Sequence, residues 1–368
     1  KKKKDGGTRY KGHRKDGRRG KGMHSFDIKT KIYYGDGALD RLTQIPYKKV
    51  MIITDPFVVQ SGMVMMITSR LDEAKIEFEV FKDVVPDPPI DKVVAGVKAV
   101  MDYKPEAIVA VGGGSAIDSA KAIREFASRV GGLDNIALIA VPTTSGTGSE
   151  VTPISVLTIH AKRTKSSIPH RIFPQYALVD GKYLASAPKK ILVNTSVDSL
   201  GHLIESYINL GASPFSRMIS EYGMALWKDV KPALLSDHVT DEDRDRMMLT
   251  STLAGMAITH AGTTLPHGLS YFLTYEMHIP HGQAVGYFQP GYVAAAAPET
   301  QAKVLELIGC KDIAEFTNLI HTLLGPLEIA PDMVDTAIKG IMANERKLKP
   351  VPYEVTEETL RKFFEMAM

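Results

Sequence analysis

Four residues in the C-terminal half of the chain could bind one metal ion. Asp198 and His202 are four residues apart, so on a helix they lie on one face, a single turn apart. His267 and His281 follow, each next to a glycine. One carboxylate and three imidazoles suit Zn²⁺ or Fe²⁺, whereas Mg²⁺ and Ca²⁺ prefer more oxygen ligands. Spacing alone leaves the alternative open, because Asp/His pairs at this interval are also common on helix surfaces.

Two loops rich in glycine and hydroxyl groups could bind phosphate. The loop Gly112–Lys121 leaves an apolar run and enters a predicted helix with Ser115 as its N-cap, which offers backbone amides to an anion. It lacks the Walker ending and the usual dinucleotide spacing, so a plain tight turn is the alternative. The loop Pro142–Glu150 follows the next apolar run, where open α/β sheets bind ligands, and a solvated loop is its alternative.

Asp55 ends the first strongly apolar run, Val50–Thr54. A carboxylate at the end of a strand beside a phosphate loop can accept the two hydroxyls of an adenosine ribose and would repel a 2′-phosphate. Capping the N-terminus of the next helix is an equally good interpretation of this residue.

The predicted secondary structure that must position these residues changes near Pro188, from alternating strands and helices to helices alone. Before it, apolar runs alternate with helical stretches, as in a buried parallel sheet, whereas 76–81 alternates apolar and acidic residues, as at a sheet edge. The predicted strands include 50–54, 107–111, 137–141 and 176–179, and the predicted helices are 58–74, 90–103 and 116–130. The later part of the chain has helical windows at 191–210, 217–235, 243–260, 264–277, 300–324, 331–344 and 356–367.

The predicted fold class is therefore α/β plus all-α. We expect a Rossmann-like dinucleotide-binding domain with a parallel sheet over 23–185 and an all-helical, metal- and substrate-binding domain over 186–368. The 368 residues, 44% of them apolar, can supply such cores. The only cysteine, Cys310, excludes an internal disulfide and is compatible with a reducing cytoplasm. No apolar run is long enough for a spanning helix, so we expect a soluble protein with no membrane partner.

The net charge of +3 comes from the first 22 residues, which hold eleven Lys/Arg and two acids. The remaining residues, with 34 Lys/Arg and 40 Asp/Glu, are mildly acidic. We expect residues 1–22 to be a flexible basic tail, an extension added to the chain or an over-extended start before Met23. A nucleic-acid arm is the alternative, but the rest of the chain has no matching basic stripe, so we expect no nucleic-acid partner.

The order of these motifs resembles the iron-containing, or group III, alcohol dehydrogenase family, from about Met23 to the end. The resemblance includes the loop Gly-Gly-Gly-Ser-x-x-Asp-x-x-Lys and the segment Pro-Thr-Thr-x-Gly-Thr-x-x-Glu-Val-Thr, which begin at Gly112 and Pro142. It also includes the helix Asp-x-x-x-His-x-x-Glu from Asp198 to Glu205, His267, and the Pro-His-Gly at 280–282. Together these motifs are far more specific than any one of them.

The resemblance implies a cleft that holds NAD(P) beside a divalent metal, Fe²⁺ or Zn²⁺, bound by Asp198, His202, His267 and His281. With Asp55 in place we expect NAD in preference to NADP. The candidate cofactor-binding residues are Asp55, Gly112, Gly113, Gly114, Ser115, Asp118, Thr143, Thr144, Thr147 and Lys165. We expect a cytoplasmic homo-oligomer, a dimer, that acts on a small alcohol or aldehyde.

This chain departs from the family pattern in three places. Asp87 stands where the family commonly has asparagine in Pro-Asn-Pro, and the part after Met23 is shorter than many relatives. Tyr271 stands four residues after His267, where the family usually has a second histidine. We expect Tyr271 to donate a hydrogen bond near the reacting oxygen, so that proton release depends on the metal, on water or on a nearby group such as His278. His260 is also close enough to the ligands in sequence to be such a group. The alternative is that Tyr271 only packs against the nicotinamide or narrows the pocket.

The predicted reaction is hydride transfer between a small primary alcohol or diol and NAD, with the metal polarising the substrate oxygen. A glycerol dehydrogenase-like reaction is an alternative on the same fold. A 3-dehydroquinate synthase-like reaction is another, although we see no Lys/Arg cluster beside the ligand helices. A metallohydrolase would leave both phosphate loops without a role.

Overall fold

The computed structural model describes residues 23–368, so the tail predicted over 1–22 lies outside the described residues. The strands are β1 Lys31–Tyr34, β2 Lys49–Ile53, β3 Glu77–Phe81, β4 Ala107–Gly112, β5 Ala137–Pro142, β6 Val156–Ile159, β7 Thr164–Ser167 and β8 Tyr176–Val179. Six of them form one parallel sheet in the order β1-β8-β5-β4-β2-β3, and β6 and β7 form a separate antiparallel pair. The carboxyl ends of β4 and β5 are neighbours, so the loops that follow them meet at one edge of the sheet.

The sequence pattern explains where each strand lies. Every residue of β4 and β5 is buried, because both faces of the central strands are covered. β3, with its alternating acidic residues, lies at the edge of the sheet and is partly exposed, as predicted. The sequence analysis did not predict β1 or the β6–β7 pair, which are four-residue strands with no long apolar run.

Four α-helices accompany the sheet: α1 Pro56–Gln60, α2 Met63–Glu73, α3 Ile90–Tyr103 and α4 Gly114–Gly131. The single helix predicted over 58–74 is wrong. Gly62 has a φ of 83°, a left-handed conformation that interrupts the helical path and starts α2 in a new direction.

The rest of the chain is helical. The helices are α5 Lys189–Ile208, α6 Pro214–Leu235, α7 Asp241–Ala261, α8 Leu265–Met277, α9 His281–Gly286, α10 Gln289–Ala294, α11 Pro298–Ile308, α12 Ile313–Leu324, α13 Pro331–Met342, α14 Glu345–Leu348 and α15 Glu357–Ala367. The predicted helix 300–324 is in fact two helices, because left-handed Gly309 ends α11 and the Asp312 side chain caps α12. The predicted fold class, a parallel sheet followed by an all-helical part, is confirmed. Within residues 23–368, no helix has the length and apolar character that a membrane crossing requires.

Two glycines allow the loop after β5 to pack directly on α7. Gly148 has a φ of +62°, and a Cβ there would lie 2.4 Å from the Cα of Gly255 and 2.8 Å from the carbonyl oxygen of Ser251. A Cβ on Gly255 would in turn lie 2.5 Å from the carbonyl oxygen of Gly148. This backbone contact sets the position of the second phosphate-loop candidate against the helical part.

We predict that Gly148→Ala destabilises the protein by about 2 kcal/mol or more, because overpacking and a left-handed alanine both cost free energy. The free energy of unfolding from urea titration would measure this. Gly340→Ala is the matched control, since a Cβ at Gly340 meets nothing within 4 Å, and alanine favours the interior of α13 by roughly 0.5–1 kcal/mol. Equal effects of the two substitutions would contradict the packing argument.

Candidate metal and cofactor site

One cleft of about 1140 Å³ runs between the loops at the carboxyl ends of the strands and helices α5, α8 and α9. The glycine loop, the hydroxyl-rich loop and the four candidate metal ligands all line it. Its volume is sufficient for a dinucleotide together with a small substrate. The structure therefore brings together residues that lie more than 200 positions apart in the sequence.

Three of the candidate ligands, all histidines, lie around one carboxylate oxygen of the fourth, Asp198. The Nε2 atoms of His267, His281 and His202 lie 3.3, 3.6 and 3.9 Å from Oδ1 of Asp198. Donor atoms of Asp198, His267 and His281 all lie within 4.8 Å of one another, which is the geometry of a group that can hold one ion. Asp198 and His202 share a face of α5, as their spacing predicts, while α8 and α9 supply the other two.

Hydrogen bonds on the far side of two rings orient them toward this point. Nδ1 of His267 donates to Oε1 of Glu205 at 2.6 Å, and Nδ1 of His202 donates to the carbonyl oxygen of Gly146 at 3.2 Å. Because both acceptors take a proton from Nδ1, the neutral form of each ring has its lone pair on Nε2, the nitrogen that faces Asp198.

The buried polar atoms at this point fit a cation. Oδ1 of Asp198 and Nε2 of His267, which lie 3.3 Å apart, are both buried with no hydrogen-bond partner among residues 23–368. Such groups are costly to leave unpaired, and a carboxylate and imidazole nitrogens are the donors that Fe²⁺ and Zn²⁺ prefer.

The three imidazoles differ in their pKa values, so that two are neutral at pH 7 and the third, His267, is protonated when no ion is bound. Burial lowers the pKa of His202 to about 4 and that of His281 to about 3, so both rings are neutral at pH 7. Burial would raise the pKa of Asp198, but the surrounding imidazoles hold it well below its usual range. Burial would also lower the pKa of His267, but Glu205 and Asp198 raise it to about 9. Without an ion, the His267 proton is the positive charge that these carboxylates attract.

Glu205 is a functional residue that the sequence analysis named in a motif without giving it a role. Its two carboxylate oxygens accept hydrogen bonds from His267, from Nε2 of Gln289 at 2.8 Å and from the backbone N–H of Thr264 at 2.6 Å. It is fully buried on α5, three residues after His202. The spacing of three residues from His202 places Glu205 near the same face of α5 and could have indicated its role. The residues that donate hydrogen bonds to it are distant in sequence and could not be predicted.

The glycine loop closes against the hydroxyl-rich loop. A Cβ on Gly113 would lie 2.9 Å from Thr144, and one on Gly114 would lie 2.5 Å from Thr147, so the two loops pack in direct contact. The predicted N-cap at Ser115 is wrong. Gly113 is the N-cap, and α4 begins at Gly114. The Ser115 hydroxyl instead accepts a hydrogen bond from the backbone N–H of Asp87 at 3.1 Å, which connects α4 to the Pro86–Pro88 segment.

Asp118 lies at the cleft, but its carboxylate is used within the protein. It accepts hydrogen bonds from the Ser149 hydroxyl at 2.5 Å and from the backbone N–H of Val156 at 3.0 Å. The buried ammonium of Lys121 lies 3.8 Å away and donates to Ser149 and to the carbonyl oxygen of Ile154. These contacts fasten the hydroxyl-rich loop to α4, so Asp118 is placed to hold this loop in position.

Asp55 caps the helix that follows it, as one of its two interpretations predicts, and its contact with an adenosine ribose stays a prediction. Its Oδ1 caps α1 by accepting from the backbone N–H of Val58 at 3.0 Å. The residue also lines the cleft, and Oδ2 lies 3.2 Å from the position of a Cβ on Gly112, at the start of the glycine loop. One oxygen therefore caps the helix while the other lies at the glycine loop.

The extra negative charge at Asp87 has a partner. The ammonium of Lys165, on β7, forms an ion pair and hydrogen bond with the carboxylate of Asp87, and both residues line the cleft. Asp87 has a φ of 50°, and its carbonyl oxygen accepts from the Thr158 hydroxyl at 2.7 Å. The candidate cofactor lysine is thus paired across the cleft wall.

Tyr271 faces the cleft beside the ligands. Its ring centroid lies 6.1 Å from that of His281, with 15° between the ring planes. Burial raises the pKa of Tyr271 to about 12, so the phenol stays protonated at neutral pH and can donate a hydrogen bond.

The two histidines considered as proton relays are not at the site. His278 is the exposed, left-handed residue that ends α8, and it is not among the residues that line the cleft. His260 packs on the ring of Phe26, with the centroids 4.3 Å apart. Proximity to His267 and His281 in sequence suggested both, but the ends of α7 and α8 direct them elsewhere.

The expectation that no basic cluster lies beside the ligand helices is wrong. Arg346 and Lys347, on α14, line the same cleft as His267 and Tyr271. The ammonium of Lys347 lies 5.6 Å from the centroid of the Tyr271 ring. These residues are distant from the ligands in sequence, and α13 and α14 pack against α8 to bring them back.

Comparison with known proteins identifies the family of both parts of the chain. Residues 29–181 match the family model described as iron-containing alcohol dehydrogenase, and residues 192–347 match that described as the C-terminal part of the Fe-containing alcohol dehydrogenase family. The chain is similar to 1-propanol dehydrogenase PduQ of Citrobacter freundii, with 36% identity over 316 residues, covering 83% of this chain and 84% of that protein.

Solved structures share the fold along almost the whole chain. The iron-containing alcohol dehydrogenase of Thermotoga maritima has a TM-score of 0.84 and 26% identity, covering 94% of this chain and 99% of that one. Sulfoacetaldehyde reductase of Bifidobacterium kashiwanohense, in complex with NAD⁺, has a TM-score of 0.82 and 26% identity, with the same coverage.

We predict that Glu205→Gln weakens divalent-metal binding about 10- to 100-fold, because the amide removes the negative charge that holds Nδ1–H of His267. Competition with a chelator would measure the dissociation constant. Glu299→Gln, which neutralises an exposed glutamate on α11, is the control and should leave this constant unchanged. Equal metal affinity in wild type and Glu205→Gln would show that His267 needs no orienting carboxylate.

Proposed function

Because the chain belongs to the iron-containing alcohol dehydrogenase family, we propose that it interconverts a small primary alcohol or diol and its aldehyde, with NAD(H) as the hydride partner. The chain is an oxidoreductase, and this family uses NAD(H) and a divalent metal. The observation that carries the proposal is the convergence of three imidazoles on Asp198, in the same cleft as the two loops suited to phosphate.

We assign the metal to Asp198, His202, His267 and His281. When bound there, a divalent ion supplies a Lewis acid for the substrate oxygen, and the nicotinamide supplies the hydride chemistry. Glu205 and the carbonyl of Gly146 keep two of the rings in the binding tautomer. Tyr271, protonated at neutral pH, is placed to donate a hydrogen bond to the substrate oxygen.

For the cofactor, we assign the pyrophosphate to the glycine loop and the nicotinamide half to the Thr143–Thr147 loop. The contacts of Gly113 and Gly114 with the threonines support this, because they place the backbone amides of one loop beside the hydroxyls of the other. Asp55 is assigned to the adenosine ribose and Lys165, paired with Asp87, to the cleft wall. Asp118 and Lys121 hold the second loop in place.

We propose that residues 23–185 form the domain that binds the cofactor and that residues 186–368 form the domain that binds the metal and the substrate. We further propose that the enzyme acts in the cytoplasm as a homodimer. The buried free thiol of Cys310 supports a reducing compartment, and measurement of the mass in solution would test the oligomeric state.

We predict that the double variant His267→Ala, His281→Ala loses stoichiometric metal and about 10³-fold in kcat/KM for propanal with NADH. Removing two of four ligands abolishes the Lewis acid, which contributes several kcal/mol to the barrier. Metal analysis and NADH absorbance would measure both, on protein reconstituted separately with Fe²⁺ and Zn²⁺. His238→Ala, at an exposed histidine, is the control. Metal retained at one ion per chain in the double variant would refute the ligand assignment.

We predict that the wild type prefers NADH to NADPH and that Asp55→Asn narrows this preference by about tenfold or more. The carboxylate would repel a 2′-phosphate, while asparagine keeps a helix-capping oxygen for Val58. The ratio of kcat/KM for the two cofactors measures the effect, and the unfolding temperature checks that the cap survives. A wild type that favours NADPH would contradict the assignment of Asp55.

A further inference from the structure

The cleft wall beside Tyr271 carries basic residues. Thr263, Tyr271, Arg346 and Lys347 line it together with apolar residues and glycines of α8 and α13. Among the described residues that line the cleft, the acidic ones are Asp55, Asp87, Asp118 and Asp198, which belong to the cofactor loops or the metal position. A substrate group that reached the wall beside Tyr271 would meet two cations and, among the described lining residues, no further carboxylate.

Lys347 is held with its ammonium at the cleft. Its Nζ donates to the Thr263 hydroxyl at 2.7 Å and lies 5.6 Å from the centroid of the Tyr271 ring, which in turn stacks on His281. No carboxylate of residues 23–368 lies within 4.0 Å of this Nζ. The Thr263 bond uses one of three N–H donors, which leaves two for a ligand.

A glycine makes room for the stem of this lysine. A Cβ on Gly268, the residue after His267, would lie 3.1 Å from Cγ of Lys347 and 2.4 Å from Cδ1 of Ile341. The lysine stem thus passes directly over the first turn of α8, the helix that carries a metal ligand. Its position relative to the metal is set by this packing, so the ammonium is a fixed feature of the substrate end.

We propose that Lys347 binds an anionic group at the far end of the substrate, so that the enzyme selects hydroxy acids and their aldehyde acids over neutral alcohols of equal length. This inference rests on the proposed function and adds the substrate class. A partly buried ammonium without a carboxylate partner is costly, and a bound carboxylate or sulfonate would provide a charge-assisted hydrogen bond. Arg346, exposed at the rim, adds positive charge for the same ligand.

Two further observations bear on the role of Lys347. Burial lowers its pKa to about 8, so the ammonium is mostly charged at neutral pH. The negative charge of Glu205 also acts on it, so Lys347 could instead serve as a counter-charge behind His267. That role would affect all substrates equally through the metal, whereas recognition of an anion affects only substrates that carry one.

The test compares reduction of 4-oxobutanoate and butanal by the metal-loaded enzyme with NADH. We expect the ratio of their kcat/KM values to exceed one in the wild type. It should fall by roughly 10- to 100-fold in Lys347→Met, which keeps the length of the stem and removes the charge. Lys339→Met, at an exposed lysine of α13, is the control for net charge and should keep the wild-type ratio.

Several outcomes would overturn the inference. An unchanged ratio in Lys347→Met, an equal loss for both aldehydes, or a change confined to the KM for NADH would assign the lysine to another role. Calorimetric titration of 4-hydroxybutanoate in the presence of NADH, which cannot oxidise it, needs no turnover. If neither aldehyde is reduced, the proposed function fails, but tighter binding to wild type than to Lys347→Met still supports the anion site. Equal binding refutes it.

Discussion

The candidate metal site is built around one buried carboxylate, that of Asp198, which the described residues leave without a full set of hydrogen bonds. Asp198 lies within 3.3–3.9 Å of three imidazole nitrogens, and its Oδ1 has no hydrogen-bond partner in the described part of the chain. Two of those imidazoles are neutral at pH 7 because burial lowers their pKa. Protonated His267 balances the charge of Asp198 when no ion is bound, and a divalent cation at this position would displace that proton while satisfying the carboxylate.

Contacts between the sheet part and the helical part of the chain fix the position of Asp198 and the three histidines relative to the two candidate cofactor loops. His202 donates to the carbonyl of Gly146, and Gly148 packs backbone to backbone on Gly255, so one loop contacts α5 and α7. Asp118 and Lys121 fasten the same loop to α4, which begins at the glycine loop. The candidate metal ligands and the two candidate phosphate loops are therefore positioned by one continuous set of contacts, which limits how far they can move apart.

Local patterns were sufficient to predict the fold class, because apolar runs, helical spacing and glycine loops are features of short segments. The four metal ligands stay a prediction that rests on the order of several motifs, and the structure brings donor atoms of Asp198, His267 and His281 within 4.8 Å of one another. The helix breaks at Gly62 and Gly309 were missed, because the sequence does not show whether a glycine adopts a left-handed conformation or a helical one. The N-cap of α4 was wrongly predicted at Ser115. The hydroxyl of this residue accepts a hydrogen bond from the backbone N–H of Asp87, a contact that no local sequence pattern reveals. His278 and His260 showed that closeness in sequence to a ligand does not place a side chain in the cleft.

The basic residues of the cleft show why the substrate end was the least predictable part of the site. Lys347 is 80 residues after His267, and only the packing of α13 and α14 on α8 brings its ammonium beside Tyr271. Metal and cofactor chemistry is common to a family and leaves recognisable motifs, whereas substrate selection depends on which distant side chain occupies a given wall. That wall carries the Lys347 ammonium, which has no carboxylate within 4.0 Å among residues 23–368 and lies one aromatic ring from His281, so the packing that completes the helical part also places a positive charge in the cleft.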